Sequence, residues 1–283
     1  MKGKDFFMID IMPKISEDFN QLGGVEPFIE KFQKAEIQYF PRKEQIHEID
    51  FEPAISKICN MFNMKEITIH PPLKDYDIEA VILYDKGIIE RQLNQCVELS
   101  EKYKIKLNLI YHTHWQLCYH KDLTIDKIRE VLKLIEGKNV TLLIENLFMM
   151  NESRTECTTL NLVKEINHPN CKMCFDICHM YCQANMYQVP IEDWFKNKLN
   201  KDDCERYVYQ VHFSYTADND GYKVKKTHGV GHPTEDLMLV DWDFIERYGM
   251  GKKKIVTEIA EEDYTNRVSQ IQDLKWLEKL SKN

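Results

Sequence analysis

The sequence predicts an α/β fold, a single (β/α)8 barrel spanning residues 1–283. Three observations carry that prediction. Eight short runs rich in β-branched or aromatic residues alternate with charged, amphipathic stretches of helical length. The starts of those runs recur about every 30 to 47 residues, the length of one βα unit, and eight such units close a barrel. Six successive runs also carry a His, Asp or Glu at or near their end, so their ends are expected to converge on one place.

Taken in order, the strands are expected at 5–11 (DFFMIDI), 36–40 (EIQYF), 66–70 (EITIH) and 106–112 (KLNLIYH). The remaining four are 139–145 (NVTLLIE), 172–177 (KMCFDI), 207–213 (YVYQVHF) and 253–259 (KKIVTEI). Several are continuous apolar runs rather than alternating ones, as in a parallel sheet covered on both faces. Helices are expected at 26–35, 51–63, 86–103, 124–136, 158–167 and 267–281. In 124–136, Ile125, Ile128, Val131, Leu132 and Ile135 share one face, while Lys127, Arg129, Glu130 and Lys133 lie elsewhere. The longest irregular stretch, 214–236, follows the seventh strand, and a loop of that length is usually functional or mobile. No Pro/Gly/Ser-rich linker divides the chain, so one domain is expected.

Composition narrows the class. A hydrophobic share of 43% supports a sizeable core, and 30% charged residues is ordinary for a folded chain. No apolar run reaches about 18 residues, so no membrane-spanning helix is expected. The N-terminal segment carries Asp5 and Asp10 and does not read as a secretory signal, which points to a cytoplasmic location. The nine cysteines are scattered and odd in number, and read as reduced, mostly buried thiols. Cys171, Cys174, Cys178 and Cys182 are close in sequence, but Cys174 falls inside a strand and the last two beyond its end. Buried thiols therefore fit better than a metal cluster. A net charge of −8 argues against broad nucleic-acid binding. Only 7 of the 38 basic residues are Arg, so Arg42, near the second strand end, stands out.

His70, His112, Glu145, Asp176, His212 and Glu258 lie at C-terminal strand ends, the face of a barrel where active sites form. His114 and His179 follow shortly after two of them. Singly, each has a structural explanation: a terminal His is commonly a hydrogen-bonded loop residue, and Asp176 could cap a helix. Glu145 and Glu258 are more telling. Each follows aliphatic residues, where an unpaired carboxylate is costly to bury, and no Lys or Arg adjoins either in its strand. A set of His, Asp and Glu without dedicated Cys suits Zn²⁺, Mn²⁺ or Fe²⁺.

FDICHMY resembles the Asp-x-x-His signature of the endonuclease IV family, and LLIENL resembles its Glu-Asn motif. The pattern is also similar to that of the wider xylose isomerase-like TIM barrel superfamily, which includes sugar isomerases and epimerases. The likeness follows nearly the whole chain in strand order and is specific at the strand ends. By position it implies one metal on His70, His112 and Glu145, and a second on Glu145, Asp176, His212 and Glu258. Divalent Zn or Mn ions are expected, two of them within a range of one to three. A third would use His179 and His228 with an Asp two residues before His228, where this chain has Lys226. The family's Gly-x-His-x-Ser segment is replaced by MIDIMPKIS, and its aromatic residue after the third-strand His by Leu73. An orthodox abasic-site endonuclease is therefore not expected.

The resemblance implies two reactions. In metal-assisted phosphoester hydrolysis, Glu145 would bridge two cations, with Arg42, Lys225 and Lys226 as phosphate partners. In sugar or sugar-phosphate isomerisation or epimerisation, one metal would polarise the substrate. Glu145 and Glu258 would move the proton as the catalytic pair, and His179 would hold a substrate oxygen. Arg42, His114, His179 and Lys226 are the substrate-binding candidates. Hydrolysis leads, because two full ligand sets exceed what a one-metal isomerase needs. A barrel used only for binding is disfavoured by the intact ligand set. The expected partner is a phosphorylated small molecule, a sugar or a nucleic acid, with no membrane.

Overall fold

Pro13 divides the first strand and thereby sets how the sheet closes, because proline has no N–H to give to a ladder. On either side lie β1 (Asp10–Met12) and β2 (Lys14–Ser16), which pair with different neighbours. β2 runs parallel to β3 (Lys34–Gln38), with Lys14 opposite Glu36. Next come β4 (Glu66–His70), β5 (Lys106–His112), β6 (Val140–Glu145), β7 (Cys171–Asp176) and β8 (Val208–Phe213). An antiparallel hairpin of β9 (Tyr215–Asp218) and β10 (Val224–Val230) follows, and then β11 (Lys254–Thr257). The main sheet has the order β1-β11-β8-β7-β6-β5-β4-β3-β2, and its pairings are parallel. Its two edges are consecutive in the chain, so it rolls into a nearly closed α/β barrel in which β1 and β2 share the first position.

The computed structural model describes residues 9–19, 22–39, 49–71, 78–113, 117–147, 159–186, 188–196, 198–218, 224–230, 242–259 and 265–281. The helices are α1 (Glu26–Phe32), α2 (Glu52–Met61), α3 (Ile78–Tyr84), α4 (Lys86–Tyr103), α5 (Leu117–Leu132) and α6 (Thr159–Ile166). They continue as α7 (Ile177–Met186), α8 (Ile191–Lys196), α9 (Lys201–Tyr207), α10 (Trp242–Arg247) and α11 (Val268–Leu280). None of the described helices is long and apolar enough to cross a membrane. The helix expected at 124–136 begins earlier, bends at His120 and ends in a 3₁₀ turn over Lys133–Ile135. The stretch 214–236, expected to be irregular, holds the β9–β10 hairpin, and β10 runs beside α7.

The larger apolar core lies between the strands and the helices, where Ile37, Leu107, Leu142 and Val211 join Ile58, Leu93 and Leu162. Side chains alternate along a strand, so residues two positions before a terminal ligand share its inward face. On that face Ile110, Leu143 and Cys174 form a small separate cluster. A bulge between β7 and β8 pairs Met173 with Val208 but Cys174 with Gln210, and the intervening Tyr209 packs against the cluster. The remaining interior is polar. Thr68 Oγ1 donates to Gln210 Oε1 at 3.0 Å, and Asn108 Nδ2 donates to Thr68 Oγ1 at 3.0 Å and Glu66 Oε1 at 2.8 Å. Tyr209 completes the chain by donating its hydroxyl to Glu66 Oε1 at 2.6 Å.

Candidate metal centre

The parallel register brings the strand ends level: Gln38 lies opposite His70, His112 opposite Glu145, and Asp176 opposite His212. All six predicted strand-end ligands meet there. His70, His112 and Glu145 can place one ligand atom each within 4.8 Å of one another, as can Glu145, Asp176, His212 and Glu258. Glu145 is common to both groups. Its Oε2 is 3.3 Å from His70 Nε2 and 3.4 Å from His212 Nδ1, and its Oε1 is 3.4 Å from His112 Nε2. Yet His70 Nε2, His112 Nε2, Glu145 Oε2 and His212 Nδ1 are buried without a hydrogen bond of proper geometry. Buried polar atoms left this way are expensive unless something binds them. Two imidazoles and a shared carboxylate on one side, with three carboxylates' worth of oxygens and an imidazole on the other, fit divalent cations of the zinc or manganese kind.

Local contacts orient each ligand. His70 Nδ1 lies 3.0 Å from the Pro71 carbonyl, which leaves Nε2 facing Glu145. His179 Nδ1 lies 2.7 Å from the Asn146 carbonyl. Asn146 ties the ends of β6 and β7 together, accepting from Asp176 N and donating to Asp176 O, both at 2.9 Å. Asp176 does cap α7: its Oδ1 accepts from His179 N at 2.8 Å. The capping role and a ligand role coexist, because a carboxylate has two oxygens.

Two further residues complete the centre, and sequence reasoning singled out neither. Glu36 is wholly buried and accepts from Gln210 Nε2 at 2.6 Å, while its Oε2 lies 2.9 Å from His212 Nε2. Lys14 places its Nζ 2.8 Å from Glu36 Oε1 and 2.5 Å from Glu258 Oε1. Glu258 was expected to need a cation because none adjoins it in its strand; Lys14 supplies one from 244 positions away. The available signals were Glu36 inside a strand covered on both faces and Lys14 in the segment that replaces Gly-x-His-x-Ser.

The charges reinforce one another. Burial alone would raise Glu36, but His212 and Lys14 hold it at about 2. Burial likewise opposes ionisation of Glu145, yet His212 and His112 keep it well below the usual carboxylate range. His212 is carried well above its ordinary value against burial, by Cys174 and then by Glu36, Glu145 and Glu258. Burial lowers His70 and His179, which keeps both imidazoles neutral, the form that binds a cation.

The other candidates fall differently. Arg42, His114, Leu73 and Trp115 lie outside the described residues. Lys226 and His228 are on β10, Lys226 opposite Ala217, and their side chains lie outside the described set, as does that of Lys225.

Residues 23–269 match the model of the xylose isomerase-like TIM barrel family. No curated protein matches the chain. Among solved structures, a xylose isomerase domain protein from Planctomyces limnophilus is 12% identical, covering 97% of this chain and 98% of that one at a TM-score of 0.59. The TTHB071 protein from Thermus thermophilus, soaked with ZnCl2, is 15% identical over 96% and 98% of the two chains, at a TM-score of 0.57. The probable 3-DHS dehydratase AsbF from Bacillus anthracis is 14% identical over 96% and 99%, at a TM-score of 0.56. At such identities the likeness is one of fold.

Proposed function

The chain belongs to the xylose isomerase-like TIM barrel family, and from that premise we propose that it is a divalent-metal-dependent phosphoesterase. Its substrate would be a small phosphorylated molecule or a nucleic-acid-like one. The observation that carries this reading is the pair of ligand groups sharing Glu145. Charge supports two ions rather than one. Glu36, Glu145, Asp176 and Glu258 bring four negative charges into a buried site, and Lys14 brings one positive. With His212 neutral as a ligand, one divalent ion leaves the site at about −1, whereas two bring it to about +1, the sign that attracts a phosphoryl group.

When bound, such ions draw charge from a phosphoryl oxygen and acidify a water. The chain's own groups do the rest. Glu145 would be shared between the two positions. His179, whose Nδ1 faces the Asn146 carbonyl, would hold a substrate oxygen. Arg42, His114 and Lys226 would contact the substrate.

One-metal isomerisation or epimerisation of a sugar or sugar phosphate is the second reading, because Glu145, Asp176, His212 and Glu258 form a complete group by themselves. It requires Glu145 and Glu258 to take up and return a proton. Lys14 sits 2.5 Å from Glu258 Oε1, so in this reading the proton would pass through a carboxylate oxygen already paired with an ammonium.

The test uses protein purified without chelators, its metals counted by elemental analysis. Activity is assayed on bis(p-nitrophenyl) phosphate, a nucleoside monophosphate and a duplex containing an abasic site. Two ions per chain and phosphoester cleavage abolished by Glu145→Gln are expected. One ion per chain, no phosphoester cleaved, and uptake of carbon-bound deuterium by a ketose in D₂O would overturn the reading in favour of isomerisation.

A further inference from the structure

We infer that Lys14 and Glu36 are positioning residues that select which atoms of Glu258 and His212 meet the second cation. The inference rests on the metal-centre reading above but not on the reaction that follows. Four side chains form a closed ring. Glu36 Oε1 faces Lys14 Nζ at 2.8 Å, Lys14 Nζ faces Glu258 Oε1 at 2.5 Å, and Glu258 Oε2 faces His212 Nδ1 at 2.9 Å. His212 Nε2 then returns to Glu36 Oε2 at 2.9 Å. Each carboxylate gives one oxygen to the ammonium and the other to the imidazole.

A carboxylate can hold a cation through one oxygen or two, and an imidazole through either nitrogen. The ring removes both choices. With Oε1 engaged by Lys14, Glu258 meets the cation through Oε2 alone. With Nε2–H directed at Glu36, His212 meets it through Nδ1, the atom that lies 3.4 Å from the shared Glu145. Glu36 could itself be taken for a ligand, since it groups with His70 and His212. Its oxygens are already committed, Oε1 to Lys14 and Oε2 to His212 and Gln210, so it orients rather than ligates. Lys14 is anchored in turn. Its carbonyl accepts from Arg267 Nη1 at 2.9 Å and Gln270 Nε2 at 2.8 Å, which fixes the point from which the side chain reaches. The first cation position, on His70 and His112, lies outside the ring.

The experiment titrates chelator-stripped protein with Co²⁺ alone, read by calorimetry and visible absorption. In Glu36→Gln, one equivalent should bind about 10–100-fold more weakly, and the other, which lies outside the ring, should weaken less. Lys14→Arg, which keeps the charge beside Glu258, should leave the cobalt spectrum as in wild type. Lys14→Met takes the ammonium away from Glu258 Oε1, so the d–d absorption of that site should change. Should Lys14→Met not fold, the double variant Glu36→Gln/Lys14→Met removes one charge of each sign and carries the same test. Equal weakening of both equivalents, no weakening of either, or an unchanged cobalt spectrum in the variant lacking Lys14 would overturn the inference. A wild-type protein that binds a single equivalent removes the two-ion reading, and the same variants then decide the inference on that equivalent. Absence of any binding overturns both.

Discussion

Asp176 uses its two oxygens for different purposes, and substitution can separate them. Oδ1 caps α7 through His179 N. Asn accepts the same bond, so Asp176→Asn should leave the stability of metal-stripped protein within about 0.5 kcal/mol, whereas Asp176→Ala should cost about 1 kcal/mol. Both should lose the second cation, which thermal melts paired with a metal titration would reveal. Buried thiols offer a second check at this scale. Burial pushes Cys171, Cys174 and Cys204 up to about 12. The thiolate is the reactive form, and at pH 8 only about one thiol in 10⁴ is ionised there. Alkylation by iodoacetamide should be slow at these positions, rise about tenfold per pH unit, and go to completion in guanidinium. Rapid labelling of any of the three in the folded protein, located by mass spectrometry, would contradict the buried placement. At this scale the six strand-end ligands were legible because each ends a local apolar run. Lys14 and Glu36 were not, because their meaning comes from partners on other strands.

Among the elements, the seam at Pro13 is the distinctive one. β1 pairs with β11 and β2 with β3, so the backbone at Lys14 depends on α11 for a hydrogen-bond partner. Gln270 also reaches the Thr257 carbonyl at 3.4 Å, bridging β11 and β2. Arg267→Ala removes a buried side chain that bonds both Lys14 O and Gln270 Oε1, and should destabilise the protein by about 2–4 kcal/mol. A urea midpoint unchanged from wild type would show that α11 does not hold the seam. Strand ends at His70 and His112, and α4 over Lys86–Tyr103, fall where the sequence pattern placed them. The pattern was silent on α3, α7, α8, α9 and α10 for identifiable reasons. ICHMYCQANM has little polar contrast because several of its residues are buried, and helices of 6 and 7 residues are too short to display a 3.6-residue period. The split of the first strand was hidden by DFFMIDI reading as one run up to Ile11.

For the molecule as a whole, the interior of the barrel carries polar groups from one end to the other, from His212 through Glu36, Gln210, Thr68 and Asn108 to Glu66. Such a core depends on each group finding its partner. Without bound cations, the carboxylates of Glu36, Glu145, Asp176 and Glu258 would be balanced by Lys14 and the surrounding imidazoles. At ligand concentrations about 100–1,000 times Kd, bound metal stabilises a protein by about 3–4 kcal/mol. Chelation should therefore lower Tm by about 6–16 °C, measured by scanning calorimetry and reversed by Zn²⁺ or Mn²⁺. A melting temperature insensitive to chelator would argue that no cation occupies the site. The barrel and the places of the six strand-end His, Asp and Glu residues were determined by the sequence alone, because strand runs and their ends are local properties of the chain. How the side chains at those strand ends are oriented was decided only in the tertiary structure. That orientation depends on Lys14, Glu36, Asn146 and the α7 cap meeting across strands far apart in the chain.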